Sequence, residues 1–96
     1  MADSQRKNER IPFTQPVKIR KPSAMNAMGV DLAPGGMGVE VTQAIAEGTG
    51  IELELFGGGA VVQGTVRKLL PGSGGSHRLG IQFSKEDPSL VARASA

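Results

Sequence analysis

The sequence predicts an all-β fold: an antiparallel barrel or sandwich of six short strands followed by one short C-terminal helix. Three observations carry this. Apolar and polar residues alternate with period two in run after run, glycine-rich breaks separate the runs at regular spacing, and only the tail has a helix-start pattern. The 96 residues leave room for a single core.

Val17-Lys18-Ile19-Arg20 turns an apolar pair to one side and a basic pair to the other. Asp31 to Val39 spans the turn between two further strands. Within it Ala33-Pro34-Gly35-Gly36 places Pro second and Gly third, the type II pattern, since Pro sets φ near −65° and only Gly takes positive φ cheaply. Val39-Glu40-Val41-Thr42 alternates, and Ile51-Glu52-Leu53-Glu54-Leu55 is the clearest half-buried strand, with both glutamates outward. The Glu47–Gly50 loop precedes it and Gly57-Gly58-Gly59 follows. Ala60 to Leu70 is a long strand in which Gly64 predicts a bulge or bend. Pro71 to Ser76 is a loose hairpin tip, and Leu79-Gly80-Ile81-Gln82-Phe83 alternates once more. In the tail, Asp87 is placed to cap a helix that Pro88 begins. Residues 1–15 lack periodicity and are expected to form a flexible basic arm, with residues 16–96 forming the barrel and helix.

Composition excludes much. With no Cys there is no disulfide framework, thiolate metal site or cysteine nucleophile, and a single His excludes a histidine cage. His77 lies beside the Gly/Ser hairpin tip and reads as a solvated surface residue, not a catalytic base. Neither a nucleophile elbow nor a phosphate-binding P-loop occurs, so no enzyme is expected. Glu52 and Glu54 could imitate a carboxylate pair, but a solvated strand face explains them. No apolar run approaches the ~18 residues that span a bilayer. A cytoplasmic protein without membrane insertion is expected.

Charge is segregated. Residues 1–21 carry six bases (Arg6, Lys7, Arg10, Lys18, Arg20, Lys21) against Asp3 and Glu9; residues 22–66 carry five acids and no base; residues 67–96 carry five bases against two acids. Basic ends of this size suit a small anion better than a long polyanion. With Phe13, Phe56 and Phe83 the only aromatics, and the last two at core-like strand positions, the chain lacks stacking platforms for bases, so neither DNA nor RNA is an expected partner.

Two features remain: Arg6-x-x-x-Arg10 in the arm, and Asp31-x-Ala33-x-x-Gly36 at the turn about twenty residues later. Together they resemble the PilZ domain pattern R-x-x-x-R … [D/N]-x-S-x-x-G. Pro16-Val17-Lys18-Ile19 is similar to that family's first strand, and Gly64–Arg67 with Arg78–Phe83 to its closing hairpin, so the likeness spans about residues 5–85. The resemblance implies a six-stranded antiparallel PilZ-like β-barrel with a short C-terminal helix. It also implies a ligand, cyclic di-GMP, and no cofactor.

By the same resemblance Arg6 and Arg10 clasp phosphate and guanine, for which the planar guanidinium fork is suited. Asp31 accepts from a guanine N–H edge, and Gly36 permits close backbone approach. The arm folds over the ligand, and an unidentified downstream protein governing motility, pili or surface matrix receives the signal. One position departs: Ala33 stands where the family has serine. A lost neutral hydrogen bond costs about 0.5–1.5 kcal/mol, which weakens binding without abolishing it. A nucleotide-independent adaptor of the same fold is the competing reading.

Overall fold

The computed structural model describes residues 10–95. Seven strands and one helix follow one another: β1 (Ile11–Pro12), β2 (Pro16–Lys21), β3 (Met25–Ala33), β4 (Gly36–Val41), β5 (Gly50–Leu55), β6 (Ala60–Pro71), β7 (His77–Phe83) and α1 (Pro88–Ser95). Six of them form a closed antiparallel barrel in the order β3-β2-β5-β6-β7-β4, and the β3–β4 hairpin shuts the ring. Closure leaves no long free edge to pair with other chains. β1 is an extra strand that covers the stretch of β3 beyond β2.

Alternation decides the faces. Val17 and Ile19, then Met37, Val39 and Val41, then Ile51, Leu53 and Leu55, and finally Leu79, Ile81 and Phe83 point inward and are buried. The intervening residues point outward. Glu52 and Glu54 have a partner on this outer face: Arg20 Nε lies 4.0 Å from Glu52 Oε1 and 3.3 Å from Glu54 Oε2. The acidic strand therefore sits beside a basic one.

Four expectations are corrected: the extent of the arm, the core position of Phe56, the turn type and the place of the bulge. The arm does not run to residue 15. Ile11 and Pro12 pair with Leu32 and Asp31, Phe13 is buried, and the Phe13 N–H donates to Val30 O at 3.1 Å. An apolar ring with a core to enter overrides the irregular local pattern. Phe13 meets Phe56 edge to face at 5.6 Å between centroids. Phe56 itself is only partly buried, because it closes β5 at φ 55° and its ring supports Arg93 of α1 at 4.4 Å.

The Pro34–Gly35 turn is not type II, since Gly35 is not among the positive-φ glycines. Type I and type II turns differ by a flip of the central peptide. Here the Pro34 carbonyl of that peptide accepts the Asp87 N–H at 2.8 Å, and the Gly35 carbonyl accepts the Phe83 N–H at 2.8 Å. These tertiary bonds set the peptide's orientation.

The β6 bulge falls at Arg67, between the Val66↔Ile81 and Lys68↔Gly80 pairs, and not at Gly64. Gly64 is required instead by crowding, because a Cβ there would overlap the Gln82 carbonyl oxygen. The 47–49 loop pins the bulge from the other side. Gly48 N–H donates to Val66 O at 2.7 Å, Val66 N–H to Thr49 O at 3.0 Å, and Leu69 N–H to Glu47 Oε2 at 3.1 Å.

Lastly, β3 carries its own irregularity, a register shift between Gly29 and Asp31, so that Leu32 faces the core while Asp31 and Ala33 face out. The helix begins as expected: Asp87 Oδ1 accepts from the Ser89 N–H at 3.1 Å and from the Ser89 hydroxyl, and Leu90 of α1 is buried in the core.

Candidate ligand-binding cleft

The site is built on the outer face of four consecutive strands, β6, β7, β4 and β3. Cross-strand register sets its rows. Lys68 lies opposite Gly80, Gly80 opposite Gly38, and Gly38 opposite Asp31. One pair nearer the hairpin, Gln82 lies opposite Gly36, which lies opposite Ala33. Three outward positions on the two middle strands are therefore glycine, and the sheet has a floor of bare backbone there. Cations stand at both ends: Lys68 and Arg67 on β6, and Arg10 beside Asp31 next to β3.

The bulge explains the first pair. An extra residue in one strand turns two neighbouring side chains toward the same face. Arg67 and Lys68 both emerge outward, and Gly80 lets the Lys68 stem lie across β7, where a Cβ would come 3.4 Å from Lys68 Cβ. Among the described residues neither cation has a carboxylate within ion-pair distance.

At the other end, Arg10 Nη1 lies 2.8 Å from Asp31 Oδ1, and the Gly38 N–H donates to the same oxygen at 2.8 Å. Asp31 thus anchors the guanidinium to the barrel wall. Between the two ends lies a cleft of about 340 Å³ lined by Arg10, Ala33, Gly36, Arg67, Lys68 and Glu86, among others. A neighbouring cleft of about 440 Å³ runs between Val61–Gln63 and the 84–87 segment. It contains none of the ligand-binding residues expected from the sequence, and Glu86 lines both clefts.

The structure thus brings together Arg10, Asp31, Ala33 and Gly36. Arg6 lies outside the described residues. Ala33 is 5% exposed and faces the cleft. Gly36 is held to glycine by its own barrel, since a Cβ would overlap the Ile81 carbonyl oxygen. Gly38 is also tight, with Asp31 Oδ1 only 3.0 Å from where its Cβ would be.

Sequence reasoning missed Arg67, Lys68, Glu86, Gly38 and Gly80. One signal was available: Val66-Arg67-Lys68-Leu69 breaks the alternation of β6 with two polar neighbours, which is how a bulge appears in a sequence. The others depend on register across strands far apart in the chain.

The fold and the wall feature together define a closed antiparallel β-barrel with a glycine-floored, cation-flanked trough. The family is identified by the chain as a whole: the PilZ domain profile matches residues 4–94, and the chain belongs to the PilZ domain family. PilZ domains are binding and adaptor domains. No curated protein sequence matches the chain significantly.

Two solved structures share the fold. The Bacillus subtilis inhibitor of motility MotI/DgrA superposes with a TM-score of 0.68 at 13% identity, over 88% of this chain and 45% of that one. This chain therefore spans less than half of MotI/DgrA. The PilZ domain of YcgR from Escherichia coli, solved with c-di-GMP, superposes with a TM-score of 0.57 at 20% identity, over 91% of this chain and 83% of that one.

Proposed function

We propose that this chain is a receptor for cyclic di-GMP, without catalytic activity, that passes the signal to a partner protein. The observation that carries the reading is the trough: cations at both ends of a bare backbone floor, one of them an arginine fixed by Asp31. A cyclic dinucleotide has two phosphates and two guanines. Guanidinium forks meet phosphate oxygens or the guanine O6/N7 edge bidentately, and a floor without side chains admits a flat base.

In this reading Arg10, and with it Arg6 from the preceding arm, takes phosphate and guanine. Asp31 keeps Oδ1 on Arg10 and Gly38 and offers Oδ2 to a guanine N–H. Gly36, with Gly38 and Gly80, lets the ligand approach. Ala33 lies beneath it without the family's hydroxyl. Arg67 and Lys68 add positive charge at the far end. The receiving process, by family likeness, is motility, pili or surface matrix, and the site of action is the cytoplasm. The fold relation to YcgR and MotI/DgrA and the family membership support this reading.

Ala33 favours a second reading, a nucleotide-independent adaptor that works by protein contacts. Calorimetric titration of the purified chain with cyclic di-GMP separates the two. Saturable binding near one Kd supports the receptor, and absence of heat at high ligand concentration supports the adaptor.

A further inference from the structure

We propose that Glu86 reads the donor edge of a guanine in the trough and makes the site select guanine over adenine; this rests on the nucleotide-binding reading above. Glu86 belongs to the segment between β7 and α1. Its backbone position is set by the next residue, whose N–H is bonded to Pro34 O at 2.8 Å. The carboxylate therefore stands over the Pro34–Gly35 turn, with Oε2 3.7 Å from where a Gly35 Cβ would be.

The charge pattern of the cleft gives the carboxylate a purpose. Three cations line the cleft (Arg10, Arg67 and Lys68), and Glu86 is its single carboxylate. Asp31 does not line it, because Oδ1 is turned to Arg10 and Gly38. No hydrogen bond or ion pair among the described residues engages Glu86, and its side chain is exposed. A site for phosphate alone would exclude a carboxylate, since like charges in one cleft raise the cost of binding. A guanine nucleotide needs both signs: cations for phosphate and an acceptor for the parallel N1–H and N2–H donors. A carboxylate's two oxygens match those two donors. Adenine has an acceptor at N1 and no N2 amine, so it would leave the carboxylate facing a lone pair. A site that offers a hydrogen bond to one base and not to the other discriminates between them by the strength of that bond. Asp31 Oδ2 serves one guanine and Glu86 the other, at the hairpin end of the trough.

The test compares cyclic di-GMP with cyclic di-AMP on the wild-type chain, Glu86→Ala and Glu86→Gln by calorimetry, with thermal melting as the control for folding. The wild type is expected to prefer cyclic di-GMP. Glu86→Ala is expected to lose about 10- to 100-fold in cyclic di-GMP affinity, as for a hydrogen bond to a charged group, and to bind cyclic di-AMP as well as or better than the wild type. Glu86→Gln is expected to shrink the preference about tenfold, because its amide can donate to adenine N1. Melting points within about 2 °C of wild type are expected for an exposed position. Unchanged or tighter cyclic di-GMP binding by Glu86→Ala, with the wild type binding, overturns the role of Glu86 and leaves the receptor intact. A wild type that binds neither dinucleotide overturns the receptor reading, and this inference with it.

Discussion

Arg10 and Asp31, twenty-one residues apart, meet with Nη1 2.8 Å from Oδ1, and the oxygen that receives the guanidinium also receives the Gly38 N–H. The carboxylate is thus tied to the sheet before it reaches the arginine, and β1 brings Arg10 alongside by pairing Pro12 with Asp31. Arg10 of the first motif and Asp31 of the second thus meet in space. The pair orients a cation at the edge of the trough, which in the proposed receptor lowers the ordering cost of binding.

Arg10→Ala is expected to remove most cyclic di-GMP affinity, by about 2 kcal/mol or more, roughly thirtyfold. Folding stability should change by no more than about 1 kcal/mol, because the ion pair is exposed to solvent and the Gly38 N–H still bonds Asp31. Calorimetry together with thermal melting checks both halves, and full affinity in the variant would detach this arginine from the ligand.

Ala33→Ser is expected to strengthen cyclic di-GMP binding by about 0.5–1.5 kcal/mol, a gain of roughly two- to tenfold. The side chain faces the cleft and is nearly covered, so the new hydroxyl has few partners without ligand. The free variant should therefore melt at or slightly below wild type and gain more from ligand. Equal or weaker binding would show that this turn is built around alanine.

Gly36→Ala is expected to destabilise the fold itself by about 1–3 kcal/mol or more, with or without ligand. The added methyl would overlap the Ile81 carbonyl, a backbone atom that moves only if β4 and β7 part. Gly50→Ala is the control: nothing lies within 4 Å of its Cβ position and its φ is not positive. Its melting point should stay at or above that of wild type. A stable Gly36→Ala that loses only ligand would restore a purely ligand-facing role to this glycine.

Phe13→Ala is expected to cost about 3–5 kcal/mol, a large share of the ~5–15 kcal/mol that stabilises such a domain. The ring is buried and braces Phe56, which in turn carries Arg93 of the helix. Chemical denaturation measures it. A loss under about 1 kcal/mol would mean that Phe13 belongs to the arm and not to the core.

Arg67→Ala and Lys68→Ala are each expected to weaken cyclic di-GMP binding and to flatten its dependence on salt, since charge in an open trough acts through screened attraction. Titrations across a range of salt concentrations check this. Unchanged salt dependence in both would remove the β6 end from the site.

Strand identity was legible in the sequence wherever alternation is strict, as in Ile51–Leu55 and Leu79–Phe83, because a half-buried strand can satisfy its pattern only with period two. The Asp87-Pro88 helix start was legible because capping is local. The closeness of Asp31, Ala33 and Gly36 was legible too, because their spacing lies within one strand–turn–strand unit, whereas Arg10 joins them only through the β1–β3 pairing.

Other features depend on contacts between residues remote in sequence. Gly38 and Gly80 make a floor only because β4 and β7 pair in that register. Arg67 and Lys68 join the site because a loop twenty residues earlier pins the β6 bulge. The Pro34–Gly35 peptide takes its orientation from the Phe83 and Asp87 N–H groups, against the local preference for type II. Phe13 leaves an irregular segment for the core because the barrel offers a ring-sized place beside Phe56. Local propensities amount to about 1 kcal/mol per residue, and a buried ring or a buried backbone hydrogen bond left unmade outweighs them. Tertiary structure therefore decided where the strands meet, and with that which side chains line one cleft.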